Sequence, residues 1–120
     1  MTQKEMASAF LKMAGMGQVD EAYVRFIAPE FIHHNQYFAG DRASLLAAMK
    51  EDHAKNPNRL VEVKRAFEDG DTVITLSHVS KKEMEFVVVH IFRFEDGKVV
   101  ELWDLGQKLE PNRVNENGPF

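Results

Sequence analysis

The stretch Met84–Leu109, MEFVVVHIFRFEDGKVVELWDLGQKL, decides how the rest of the chain is read. Two long runs rich in Val, Ile, Phe and Trp flank Glu95-Asp96-Gly97. That composition, broken by a Gly-containing turn, predicts an antiparallel hairpin. His90 lies in the first arm and Asp104 in the second, each among hydrophobic residues. A polar group in such a setting needs a partner or a purpose. The hairpin therefore reads as the floor of a small-molecule pocket.

Which side chains share a face depends on turn length, because side chains alternate along a strand. A three-residue Glu95-Asp96-Gly97 loop with Gly97 in the left-handed region pairs Phe94 with Lys98, Phe92 with Val100, His90 with Leu102 and Val88 with Asp104. One face then carries Phe86, Val88, His90, Phe92, Val100, Leu102 and Asp104. The other carries Val87, Val89, Ile91, Arg93, Val99, Glu101 and Trp103. A two-residue Asp96-Gly97 turn instead sets His90 against Trp103 and Asp104 against Val89. The three-residue register is preferred, since it collects both ionisable groups on one coherent face. Apolar residues remain on the opposite face, whereas an antiparallel sheet normally keeps one face wet. A second subunit is expected to cover it.

The 120 residues form one domain, 1–120, enough for a single core. With 44% hydrophobic and 28% charged residues the composition is that of an ordinary globular protein. A net charge of −4 without a basic block argues against nucleic acid as a partner. The absence of cysteine removes disulfides, thiolate metal sites and a Cys nucleophile. The N-terminal residues lack the apolar run of a signal peptide, and no run approaches the ~20 apolar residues of a membrane span. A cytoplasmic location is expected.

Along the chain, residues 3–14 place Met6, Phe10, Leu11, Met13 and Ala14 largely on one side of a helix, ended by Gly15 and Gly17. A second helix follows, with Asp20 as a plausible cap, a face of Val19, Tyr23, Phe26 and Ile27, and Pro29 as its stop. Phe31–Asn35 is a short strand-like piece leading through Tyr37 to Gly40. Asp41 caps a third helix reaching about Lys55, with Leu45, Leu46, Met49 and His53 on one flank. From Arg59 the period becomes two. Leu60–Glu68 and Thr72–Lys81 make a first hairpin, in which an Asp69-Gly70 turn aligns Val61, Val63 and Phe67 with Thr72, Ile74, Leu76 and His78. Helices followed by four long antiparallel strands give an α+β class: a cone-shaped curved antiparallel sheet wrapped around N-terminal helices, an α+β barrel enclosing a cavity.

The segments FIHHN (31–35) and HIFRFEDGKVVELWDLGQ (90–107) resemble the SnoaL-like, polyketide cyclase branch of the nuclear transport factor 2-like superfamily. The resemblance covers the whole chain in element order. It implies a curved sheet packed on helices, a deep pocket and a homodimer. It also implies acid–base chemistry without metals, as in polyketide cyclases, ketosteroid isomerase and limonene epoxide hydrolase. In the cyclases a late aspartate is the acid/base, and Asp104 is its match. Leu102 stands where an E-H-W-D pattern has His, which removes one polar pocket group.

The candidate catalytic residues are thus Asp104 as acid/base, with His90 and His34 polarising or orienting the substrate. Asn35, Tyr37, His78, Phe92 and Leu102 are candidates for substrate binding. His33 should point away from His34 along a strand. The five histidines lack H-x-H or H-x-x-x-H spacing, so no metal is expected. Neither a G-x-S-x-G motif nor a phosphate-binding glycine loop is present, and no cofactor is expected. The functional reading is an isomerase-, cyclase- or hydratase-type enzyme acting on a small apolar carbonyl compound. Its rival is a non-catalytic ligand-binding or dimerisation module of the same fold.

Overall fold

The computed structural model describes residues 1–120. Three helices come early: α1 (Gln3–Gly15), α2 (Val19–Phe26) and α3 (Arg42–Lys55). Five strands complete the chain: β1 (Ile27–His33), β2 (Leu60–Asp69), β3 (Thr72–Ser80), β4 (Glu85–Glu95) and β5 (Lys98–Lys108). They form one sheet in the order β1-β5-β4-β3-β2. Helix α1 packs on β2 and β3, while α2 and α3 pack on β1. The α+β architecture is the expected one.

The sheet is mixed where an all-antiparallel one was expected, because β1 runs parallel to β5. Pro29 does not terminate α2. The helix ends at Phe26, and Pro29 lies inside β1, an edge strand where its missing N–H costs no ladder bond. The second helix also starts one residue earlier than its supposed cap. Gln18 occupies the N-cap without a side-chain bond, and Asp20 sits in the first turn, where a carboxylate suits the helix dipole. The other caps follow the local code. Thr2 and Glu5 form a reciprocal capping box on α1. Asp41 accepts the Ser44 backbone N–H at 3.0 Å at the start of α3.

The decisive hairpin has the two-residue turn of the second reading but the register of neither. Glu95 pairs with Lys98, so the turn is the two residues Asp96 and Gly97, both left-handed with φ of 49° and 75°. A bulge follows at once: Phe94 opposes Val99, Arg93 opposes Glu101, and Val100 is the extra residue. Beyond it His90 faces Asp104, Phe92 faces Leu102 and Ile91 faces Trp103. The expected faces survive except at Val99, which is buried opposite Phe94, but the register shifts by two residues along β5.

The β2–β3 hairpin has its own correction. Gly70-Asp71 is the turn, Phe67 opposes Ile74, and a bulge at Lys64 swaps the faces of the strand. Val61 and Val63 oppose Val79 and Ser77 toward the helices, while His78 opposes Glu62 on the far side.

The core lies between the helices and the concave side of the sheet. Phe10 of α1 is its hub, with ring centroids 5.7 Å from Tyr23 and 6.2 Å from Phe92. Val73, Val99 and Leu102 close the sheet side. At the α1–α2 corner Gly17 has φ of 102° and lies against His53, where a Cβ would sit 2.4 Å from the imidazole.

Replacing Gly97 with Ala forces a side chain into the left-handed region without removing any contact. The expected loss is about 1 kcal/mol of unfolding free energy, measured by urea titration. A loss no greater than that of an alanine substitution at exposed Glu95 would contradict the assigned turn.

Candidate functional site

Three residues form a polar row across the mostly apolar concave face. Thr75 on β3 opposes His90 on β4, which in turn opposes Asp104 on β5. Directly opposed side chains have Cβ atoms ~4.5–5.5 Å apart. Thr75 is fully buried, and neither its hydroxyl nor His90 Nδ1 has a hydrogen-bond partner. His90 stacks on Phe92 at 5.8 Å.

Burial dominates the imidazole and lowers its pKa to about 4, with the Asp104 carboxylate pulling weakly the other way. His90 is therefore neutral at neutral pH, with one N–H to donate and one lone pair to accept. Burial likewise holds the Tyr23 hydroxyl well above the usual phenol range. Arg42 opposes that shift and the Asp104 charge adds to it, which sets Asp104 within electrostatic reach of the interior.

Asp104 is half-buried, and its orientation comes from the β1–α3 loop. Asn35 Nδ2 donates to Asp104 Oδ2 at 3.2 Å, while Asn35 Oδ1 accepts the Tyr37 backbone N–H at 2.9 Å. The carboxylate is thus bonded by a neutral amide and by no cation.

Next to His90 lies a cavity of about 190 Å³ between α1, the end of α3 and the sheet. Leu11, Met49, Val61, Val79 and Val88 give it apolar walls; Ser77 and His90 are the polar groups on its sheet wall. Asp52 and Lys81 close its rim, with Lys81 Nζ 2.9 Å from the Asp52 carboxylate and 2.7 Å from the Asn56 carbonyl. A wider hollow of about 520 Å³, bounded by Gln107–Glu110 and the tail, is open and mostly polar and contains none of the row.

The structure brings together three of the expected site residues, Asp104, His90 and Asn35. His34 is not with them. It lies on the convex side, stacked on Trp103 at 4.6 Å, with Nε2 2.6 Å from Glu101. Neighbouring strand residues point to opposite faces, and it is His33 that turns inward, bonded to the Ala39 carbonyl at 2.7 Å. His78 is also convex, 2.8 Å from Glu85, because the bulge at Lys64 turns Val61 and Val63 to the concave side and leaves His78 on the outer face with Phe67 and Ile74. Tyr37 is 78% exposed and lines neither of these two cavities. Phe92 and Leu102 share the face of the row but are sealed in the core. Sequence reading passed over Thr75 and Ser77, whose alternation with Val73 was the available signal.

No helix is long and apolar enough to cross a membrane. No group of three or more His, Cys, Asp or Glu side chains is placed to hold a metal ion.

Helices covering the concave side of a strongly bent sheet, with a cavity between them, define a nuclear transport factor 2-like fold. The SnoaL-like domain family model matches residues 7–102, and the chain belongs to that family. The matched stretch includes His90 and stops just before Asp104. Among solved structures, an NTF-2 like protein of unknown function from Burkholderia xenovorans LB400 is 22% identical, with a TM-score of 0.71, over 93% of this chain and 86% of its own. IdmH, a candidate polyketide cyclase from Streptomyces antibioticus, is 20% identical, with a TM-score of 0.71, over 88% of this chain and 92% of its own. A candidate ketosteroid isomerase from Kribbella flavida DSM 17836 is 18% identical, with a TM-score of 0.73, over 95% of this chain and 84% of its own. At these identities the likeness is one of fold. No curated protein matches the chain.

The lowered pKa of His90 has a stability consequence. Between about 4 and the ordinary 6.5 the unfolded chain binds a proton that the folded chain refuses. Stability therefore falls as pH drops through that window, by roughly 3 kcal/mol at its acid end. His90→Leu is expected to flatten the dependence of the urea midpoint on pH from 7 to 4. An unchanged slope would assign the acid sensitivity to other groups.

Proposed function

We propose that this chain is a small-molecule pocket protein that performs acid/base chemistry next to a carbonyl. Asp104 takes a proton from the α-carbon, the C–H electron pair becomes the enolate double bond, and the carboxyl returns the proton at the same or another carbon. The neutral imidazole of His90 donates a hydrogen bond to the oxygen as charge develops there. Asn35 holds the carboxylate in place. The observation that carries the reading is the direct opposition of His90 and Asp104 on an apolar concave face, beside a cavity that His90 lines.

This chemistry serves an isomerisation or an aldol-type cyclisation of a small apolar carbonyl compound. In a hydration Asp104 would instead take the proton of a water whose oxygen adds to the β-carbon of a conjugated carbonyl, and return it at the α-carbon. A candidate cyclase and a candidate isomerase among the structural neighbours support that range. Neutral His90 suits the electrophile's role better than the base's, because an imidazole of such low pKa binds a proton weakly.

The same reading makes the protein a homodimer joined through the convex face. Phe67, Ile74, Ile91 and Trp103 form one apolar row across four strands, and Leu76, Val89 and Leu105 form the next. Phe67 and Leu105 are 51% and 64% exposed, more apolar surface than a lone subunit gains by keeping wet. The network of Arg93, Glu101 and His34 borders it.

Deuterium exchange at the α-carbon of small ketones, followed by NMR, tests the chemistry. Asp104→Asn is expected to slow exchange by at least ~100-fold with the fold intact. Equal exchange by both proteins would remove Asp104 from the mechanism, and binding without exchange in either would make the protein a carrier. Sedimentation tests the assembly: Ile91→Asp is expected to shift a dimer to monomers, and a wild-type monomer at high concentration would exclude it.

A further inference from the structure

Ser77 is 1% exposed, lines the cavity, and its hydroxyl has no hydrogen-bond partner. It opposes Val88, so His90, two residues along β4, is its diagonal neighbour on the same face. Such neighbours stand ~7–8 Å apart, close enough for both side chains to reach one ligand atom lying between them. His90 also lines the cavity, is half-buried, and has a buried, unpartnered Nδ1. A buried polar atom without a partner costs ~1–3 kcal/mol, and a ligand that supplies the partner recovers it. Here two such atoms share the sheet wall of one cavity, and a third, the acceptor Asn58 Oδ1, belongs to another residue of its lining.

Charge and size narrow the ligand further. The only cation on the cavity lining, Lys81, is already held by the Asp52 carboxylate and the Asn56 carbonyl. No free charge is left to select an ionic ligand. At about 190 Å³ the cavity is a little larger than the ~150 Å³ that admits benzene, and well below the ~300 Å³ where drug-sized sites begin.

We propose that Ser77 is an oxygen-binding residue which, with His90, selects a neutral oxo compound of single-ring size. Ser77 Oγ–H donates to the carbonyl oxygen from one side and His90 from the other. The apolar ring lies against Leu11, Met49, Val61, Val79 and Val88. The inference rests on the proposed pocket function, but it concerns recognition and not proton transfer.

The test is titration of the full chain with four probes: cyclohexanone, methylcyclohexane, cyclohexanecarboxylate and 1-decalone, followed by amide NMR shifts. Cyclohexanone is expected to bind saturably, with shifts centred on Ser77 and His90. The carboxylate and the fused-ring ketone should bind at least roughly tenfold more weakly. Ser77→Ala should weaken cyclohexanone roughly five- to tenfold and leave methylcyclohexane unchanged. Ser77→Cys, nearly equal in volume but a poor donor, should behave like the alanine variant. Melting temperatures of both variants at or near that of the wild type establish that the fold is kept.

Cyclohexanone binding that ignores Ser77→Ala overturns the proposal. So does an equal loss for methylcyclohexane, tight binding of 1-decalone, or no binding of cyclohexanone. Deuterium exchange into cyclohexanone separates the two readings. Ser77-dependent binding without exchange leaves the recognition site standing and removes the acid/base role. Exchange that persists with Ser77-independent binding does the reverse.

Discussion

One extra residue in β5 governs what this sheet can do. Without the bulge at Val100, the tight Asp96-Gly97 turn would set Asp104 against Val89 and bring Trp103 opposite His90. The aspartate would then face outward and the indole inward, because a slip of one residue reverses every later side chain. With the bulge, His90 and Asp104 share the concave face, and Ile91 and Trp103 share the convex one. Burial reinforces the choice: Val99, Val100 and Leu102 all lie in the interior around the bulge. The apolar content of β5 drives the register, and the ionisable pair is carried along by it.

On the concave face that burial has an electrostatic consequence. An imidazole removed from water holds a proton poorly, and the half-buried carboxylate opposite offsets only part of the penalty. The row therefore combines a neutral donor with an acid/base group whose orientation depends on a single amide from Asn35. Two carboxylates or two imidazoles in these places would repel or exchange roles. A neutral ring beside a carboxylate keeps the two roles distinct.

The convex face obeys a different constraint. Its rows of Phe, Ile, Leu, Val and Trp continue across β2 to β5 with no helix over them. The histidines that the strand parity sends outward, His34 and His78, each meet a glutamate and an aromatic ring there. Their chemistry belongs to the edge of that surface and not to the cavity.

Much of this was legible in the sequence, because local rules govern it. Helix periodicity located α1 and α3, Asp41 announced its own cap, and alternating Val, Phe and Ile runs around Gly70 and Gly97 marked both hairpins. The family resemblance in residues 90–104 was equally plain. Asp104 and His90 stood out as polar residues within apolar strands, where burial is costly. Long-range pairing was not legible. Whether β1 joins β5 in parallel, where Pro29 is tolerated, and where each hairpin inserts its bulge are settled by the packing of the whole sheet on Phe10 and Tyr23. Those decisions sent His34 and His78 outward and left Ser77 and Thr75 inward without partners. The sequence by itself determined which residues could carry chemistry; only the tertiary structure decided which of them meet, because one residue of strand register outweighs any local preference.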